Sequence, residues 1–472
     1  MNRLFCLALT LLITTCLLHG QNRIGTGGAL KLYEQHCASC HGKELEGGLG
    51  GPLVGDNWDY AKDYDGMAEY IAKGNPEMGM PGFGETISAP DIRSLVIFIR
   101  EMNAKAEAAE QAKAESHNGV FKTEVESFRV EKVVGGLSIP WSVAFMPDGQ
   151  LLIAERGGDL RFAKDGKLAK PVKGTPEVWA HGQGGLLEVA LHPDYKENGW
   201  IYLGFSEKGD EQQGGRGEGI TKIVRGKIKN NRWTDEEVIF EVPPKFHNGA
   251  GVHFGTRFVF QDGYLYFSIG DRGRQNMAQD ITRPNGKIHR IYDDGRIPKD
   301  NPFYNEPDAY QSIWTYGNRN PQGLDTHPVT GDIWEAEHGP RGGDEINLIK
   351  KGINYGWPVI TYGMNYNGTP ITDKTHAPGM EQPVLYWVPS IAVCGIDFYD
   401  GDKFPNWKNN LFAGGLASKE LHRLVIEDDK ITKDEIVLKG LGRVRDVASG
   451  PDGYLYLVLN GPDEIVRLEP VK

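Results

Sequence analysis

Cys37-Ala38-Ser39-Cys40-His41 puts two thiols three residues apart and an imidazole directly after the second. Thiols at that spacing add to the vinyl groups of a porphyrin while the adjacent imidazole binds its iron, so the segment reads as an attachment sequence for c-type haem. An apolar stretch at Leu32 and Tyr33 precedes it as a helix would, and Gly42 follows. The sixth iron position needs a soft or nitrogenous ligand, and Met78 and Met80 both lie downstream in Glu77-Met78-Gly79-Met80-Pro81-Gly82-Phe83-Gly84. Methionine there raises the potential of a haem. The other cysteines offer no disulfide framework: Cys6 and Cys16 sit in the first twenty residues, and Cys394 stands alone as a small apolar residue.

Elements that would position these groups follow from the flanking sequence. The Met80-Pro81 loop resembles that of small class I cytochromes c, where the ligand stands immediately before proline; this selects Met80, with Met78 the alternative. From Ala89 to Met102 apolar residues recur at helical spacing, as a closing helix of the haem domain requires. Composition then turns abruptly to Ala, Glu, Lys and Gln, which predicts a semi-rigid helical spacer over 103–118. Ahead of the haem segment, Arg3 precedes an uncharged apolar run from Leu4 to Leu18. That run falls short of the roughly 20 residues a membrane-spanning helix needs and reads as a secretory signal over 1–20. Thr15 before Cys16 argues against a lipid anchor there. The expected organisation is a signal peptide (1–20), a small all-α cytochrome c domain (21–102), the linker (103–118) and a larger domain (119–472), in a periplasmic or secreted protein.

That larger domain repeats a turn followed by an apolar strand. The copies are Pro147-Asp148-Gly149-Gln150-Leu151, Pro193-Asp194 leading to Trp200-Ile201, Gln261-Asp262-Gly263-Tyr264-Leu265, Thr330-Gly331-Asp332-Ile333, Pro405-Asn406-Trp407 leading to Leu411-Phe412, and Pro451-Asp452-Gly453-Tyr454-Leu455. Such turns beside β-branched and aromatic runs are hairpin signals. Glycine accounts for 62 of 472 residues, close to double the usual share of about 7%. Six copies without helical pattern between them predict an all-β six-bladed β-propeller, with a β-sandwich as the competing architecture. Its active site would lie at the channel mouth, built from residues scattered along the chain. A formal charge of −12 without a basic block excludes nucleic acid or an anionic membrane surface as partner.

The scattered motifs are His253-Phe254-Gly255-Thr256-Arg257, Gly270-Asp271-Arg272-Gly273, Gly317-Asn318-Arg319-Asn320-Pro321, Glu337-His338-Gly339-Pro340-Arg341-Gly342-Gly343-Asp344-Glu345, Asn354-Tyr355-Gly356-Trp357 and Arg443-Val444-Arg445-Asp446. Their ordered series, from Leu137 to Leu468, resembles the soluble quinoprotein aldose sugar dehydrogenases, which use pyrroloquinoline quinone (PQQ) on a six-bladed propeller. The resemblance implies His253 as catalytic base with Asp271 holding its other ring nitrogen; His181, His247 and His338 are the alternatives. It also implies that Arg319 and Asn320 contact the quinone, that Gln183 lies beside it, and that Ser390 meets a carboxylate while Arg443 and Arg445 pair with the cofactor's acids. For calcium it implies the Gly339 and Pro340 carbonyls at the quinone, and Glu345 with Tyr355 at a second, structural ion.

Residue chemistry agrees with these roles. Oxidising a sugar hemiacetal needs a base near neutrality, charge arriving on a quinone is stabilised by fixed cations, guanidinium matches carboxylates, and calcium takes hard oxygen ligands. One departure is Ala417, in Gly414-Gly415-Leu416-Ala417-Ser418-Lys419, where glucose-oxidising relatives carry a quinone-contacting lysine; Lys419 stands two residues on. The expected activity is oxidation of an aldose to its lactone, with electrons passing through quinone to the fused haem c and on to an external acceptor. A calcium-dependent lactone hydrolase, or a sugar-binding propeller beside an independent cytochrome, is the alternative, since fold alone does not fix function.

Overall fold

The computed structural model describes residues 28–55, 63–114, 119–209 and 219–471. The expected signal peptide, with Cys16, and the end of the spacer lie outside these. Helix α1 (Gly28–His36) carries Tyr33, which is buried against Phe98 and donates its hydroxyl proton to the Gly42 carbonyl (2.7 Å). The haem motif follows on the short helix α2 (Ala38–His41), and α3 (Tyr64–Lys73) starts on an Asp63 cap that accepts from the Gly66 amide. Ser88 and Asp91 hydrogen-bond each other at the start of α4 (Ala89–Ala114), a capping arrangement. Helix and spacer are one element: α4 runs through Asn103, whose side chain accepts from the Gly55 amide and so belongs to the haem-domain packing.

The remainder forms six antiparallel sheets, as the repeats predict. Each repeat spans the turn from the first to the second strand of a blade, and the first strands are Pro140–Phe145, Leu186–Leu191, Phe258–Gln261, Pro321–Thr326, Val393–Phe398 and Arg443–Ser449. In the last blade the outer position is filled from the other end of the domain: Ser127–Val134 pairs with Glu464–Pro470 and closes the ring. Arg257 knits four blades across the axis. Its guanidinium donates to Glu188 (3.0 Å), lies 3.0 Å from Asp446, and reaches the carbonyls of Gln322 and Arg445. Burial raises both carboxyls, while the two carboxylates hold Arg257 charged. A multivalent buried cation fixes the blade order more rigidly than apolar packing would.

Candidate active site

Above that floor, His253 sits at φ +54°, a left-handed conformation that bulky side chains rarely adopt. Its neighbour Gly255 (φ +67°) has no room for a Cβ, which would lie 2.8 Å from the Ser268 carbonyl oxygen. The contorted backbone turns the imidazole toward Asp271, whose Oδ1 lies 2.6 Å from Nδ1, and the His253 amide donates to Gln183 Oε1. Asp271 Oδ2 accepts the indole N–H of Trp357 (2.8 Å), and Oδ1 also accepts the Gly273 amide. With both oxygens held and Asp271 fully buried, Nδ1 carries the proton and Nε2 is left as an acceptor. Burial, then the charge of Arg319, lowers the pKa of His253 despite Asp271, so the ring is neutral at pH 7. Asp271 is held below its usual range: burial would raise it, but hydrogen bonding and charge from His253, with Arg319, prevail.

Arg319 is the nearby cation. Its guanidinium donates to the His338 and Gly339 carbonyls, approaches the Tyr366 hydroxyl (3.5 Å) and leaves Nε buried without a partner. Glu337 accepts the backbone amides of Arg319 and Asn320, fixing that turn, and Asn320 Oδ1 accepts from Gly255. Arg445 is buried over the Trp141 ring and bonds Asn460 and Cys394 Sγ. Neither Arg319 nor Arg445 forms an ion pair with a carboxylate among the described residues. Burial and the charges of Arg445, Arg319, His253 and Arg443 together depress the pKa of His338, so these groups converge on one region. Buried guanidiniums without carboxylates suit a polyanionic ligand such as PQQ.

The other expected residues are placed as follows. Arg319, Gly339, Pro340, Glu345 and Tyr355 line one small cavity with Glu337 and Trp357. Burial raises the carboxyls of Glu337 and Glu345 in this lining and of Glu335 beside them, and Glu335 Oε1 and Asn347 Oδ1 have no partner. An all-oxygen set in which Glu335 and Glu345 have no ion pair among the described residues fits calcium, whose charge would offset the cost of ionising them there. Ser390 donates to Asp344 Oδ1, which also accepts the Gly339 amide. His181 stacks on Trp179 at the surface and His247 bonds the Val242 carbonyl, so neither shares the Asp271 geometry. Ala417 and Lys419 are exposed on their turn, Lys419 at φ +58°. Sequence reasoning missed Trp357, Glu337, Asp344 and Tyr366 as supports, although the first three stand inside motifs it quotes.

In the haem domain, His41 Nδ1 lies 2.8 Å from the Gly51 carbonyl, which fixes the tautomer and leaves Nε2 for iron. Asn75 and Met80 exchange backbone hydrogen bonds, and a Cβ on Gly74 would strike the Met80 carbonyl. Met80 packs partly buried against the domain core, whereas Met78 is 74% exposed. Cys37 and Cys40 are free thiols, so the donor set fits haem c.

Residues 137–467 match the family model described as glucose/sorbosone dehydrogenase. The chain belongs to that family. Residues 28–99 of this glucose/sorbosone dehydrogenase family member match a second model, cytochrome c oxidase, cbb3-type, subunit III, so a cytochrome c domain precedes the propeller. The chain is 44% identical over 350 residues to aldose sugar dehydrogenase YliI of Escherichia coli, covering 72% of this chain and 92% of that protein. A crystal structure of the soluble E. coli aldose sugar dehydrogenase in its apo-form superposes with a TM-score of 0.69 at 42% identity, covering 73% of this chain and all of that one. The PQQ-bound aldose sugar dehydrogenase of Streptomyces coelicolor superposes with a TM-score of 0.60 at 27% identity, covering 73% and 98%. Among the described residues no helix is long and apolar enough to cross a membrane.

Proposed function

We propose that the protein is an exported, calcium-dependent quinoprotein that oxidises aldose sugars to lactones and passes the electrons to its own haem c and then to an external acceptor. The observation that carries this reading is the His253 imidazole, held through Nδ1 by the buried carboxylate of Asp271 and standing near a guanidinium, Arg319, that forms no ion pair among the described residues. His253 Nε2 takes the proton of the anomeric hydroxyl as hydride departs from the same carbon. Asp271 stabilises the imidazolium so formed, and Trp357 keeps Asp271 from turning away. Arg319, Asn320, Gln183, Arg443 and Arg445 would hold PQQ; Gly339 and Pro340 would hold calcium beside it, with Glu345 and Tyr355 at the structural ion. When bound, PQQ supplies a two-electron acceptor polarised by calcium, and haem c supplies a one-electron outlet.

Protein loaded with haem, PQQ and calcium, mixed anaerobically with a panel of aldoses, should show the ferric spectrum turning ferrous and lactone accumulating. A chain that hydrolyses lactones without PQQ and never reduces its haem would overturn the assignment in favour of the hydrolase reading. The unneutralised Arg319 and Arg445 speak against that outcome, because lactone hydrolysis has no polyanionic cofactor to balance.

A further inference from the structure

The haem domain and the dehydrogenase face share one apolar core. Leu95, Ile97 and Phe98 of α4 cluster with Tyr362, Met364 and Val388 of the propeller, and Tyr64 of α3 meets the stacked pair Tyr362–Tyr386 edge-on. Polar contacts frame that core. Arg93 donates to the Asp373 carbonyl (2.6 Å), Arg100 to the Val388 carbonyl (2.7 Å) and the Ala29 amide to the Gly368 carbonyl (3.1 Å). Arg341 and Glu101 form a two-pronged ion pair, 2.6 Å at its shortest, with side chains only 8% and 14% exposed.

These contacts fall on the loops that build the site. Arg341 follows Gly339 and Pro340 directly; Arg319 grips the Gly339 carbonyl from one side while Glu101 grips Arg341 from the other. Gly342, at φ +79°, lies against Ile97, where a Cβ would come within 3.5 Å. The turn that brings Tyr366 to Arg319 ends at Gly368, on which α1 rests.

Resting on the site assignment above, we propose that the haem domain is permanently docked against the loops that build the dehydrogenase site and is no swinging carrier, and that Glu101 and Arg341 are positioning residues that hold the 338–343 loop in shape. A buried ion pair that loses one partner strands the other, so Glu101→Gln should loosen the loop without touching substrate.

Hydrogen exchange on the haem-loaded full chain without PQQ tests this independently of any sugar oxidation. Glu101→Gln should lower protection of 338–343 and 362–368 at least tenfold while blade five, 393–439, is unchanged. Equal protection in wild type and variant would overturn the positioning role. With the wild-type enzyme loaded and reducing its haem from sugar, the intramolecular rate should stay within 1.5-fold as sucrose triples the viscosity; a rate falling threefold would establish a mobile carrier. Should Glu101→Gln not fold, Arg93→Ala at the rim should raise exchange around 371–374, and no rise would count against docking. Failure of sugar oxidation alone would sink the enzymatic assignment and leave the exchange result standing.

Discussion

Two histidines in the propeller are built into the same triad and end in opposite states. His253 Nδ1 lies 2.6 Å from Asp271, whose second oxygen accepts Trp357 Nε1; His422 Nδ1 lies 2.6 Å from Asp434, whose second oxygen accepts Trp387 Nε1. The His422 ring is 4% exposed and the His253 ring 13%. Burial would depress His422 as well, but Asp434 and Glu420 (3.4 Å from Nε2) lift it to about 9. At His253 burial and then the charge of Arg319, the residue beyond the triad, outweigh Asp271 and push the ring below 6.5. A histidine–carboxylate–indole triad is therefore not in itself a catalytic device. The charge outside it decides whether it stores a cation or offers a base.

The largest effect separating the two belongs to removal of the ring. His253→Gln should lower sugar turnover about 10³-fold, the scale of a lost general base, with little change in stability; His422→Gln should leave turnover within twofold. Stability reverses the order: His422→Gln removes the cation that Asp434 and Glu420 share, leaving Glu420 on Lys439 (2.6 Å) and Asp434 on Trp387, and should cost about 2 kcal/mol at neutral pH in urea unfolding, less than a fully stranded buried charge would.

A pH series sharpens the contrast. The folded-state value of His422, about 9, lies above the roughly 6.5 of an unfolded histidine. Its stabilisation is therefore whole below about pH 6.5 and is lost as pH climbs through about 9. The stability gap between wild type and His422→Gln should close over that window. His253 must be neutral to act and its pKa is lowered, so kcat/KM should fall only below pH 6.5. An acidic limb above 7 would mean that Arg319 does not face the ring. The smallest effect is expected of Glu420→Gln, which should move the His422 ring titration, followed by NMR, downward while leaving turnover untouched.

Legibility in the sequence followed distance along the chain. The cytochrome c domain is announced by the local spacing of its attachment motif, and the blades by a turn-and-strand signal that recurs six times, so both were readable. His253 and Asp271 are 18 residues apart and share a hairpin, but Trp357 reaches Asp271 from 86 residues away through blade order, which no local pattern encodes. The closing helix and the spacer looked like two elements because composition changes at Asn103, yet helical hydrogen bonding does not depend on what the side chains bury, and α4 continues. The Glu101–Arg341 pair joins residues 240 apart in the chain and likewise has no local pattern to announce it.

Ring closure through Ser127–Val134 and Glu464–Pro470 has a consequence for biosynthesis. A chain emerging from its N-terminus presents the haem domain first, while the surface that α4 will cover, residues 341–388, has not yet been made. Strand 127–134 must then wait for the final seven-residue strand before its sheet exists. Docking of α4 is therefore a late event, because the surface that receives it is complete only once residue 388 has been made.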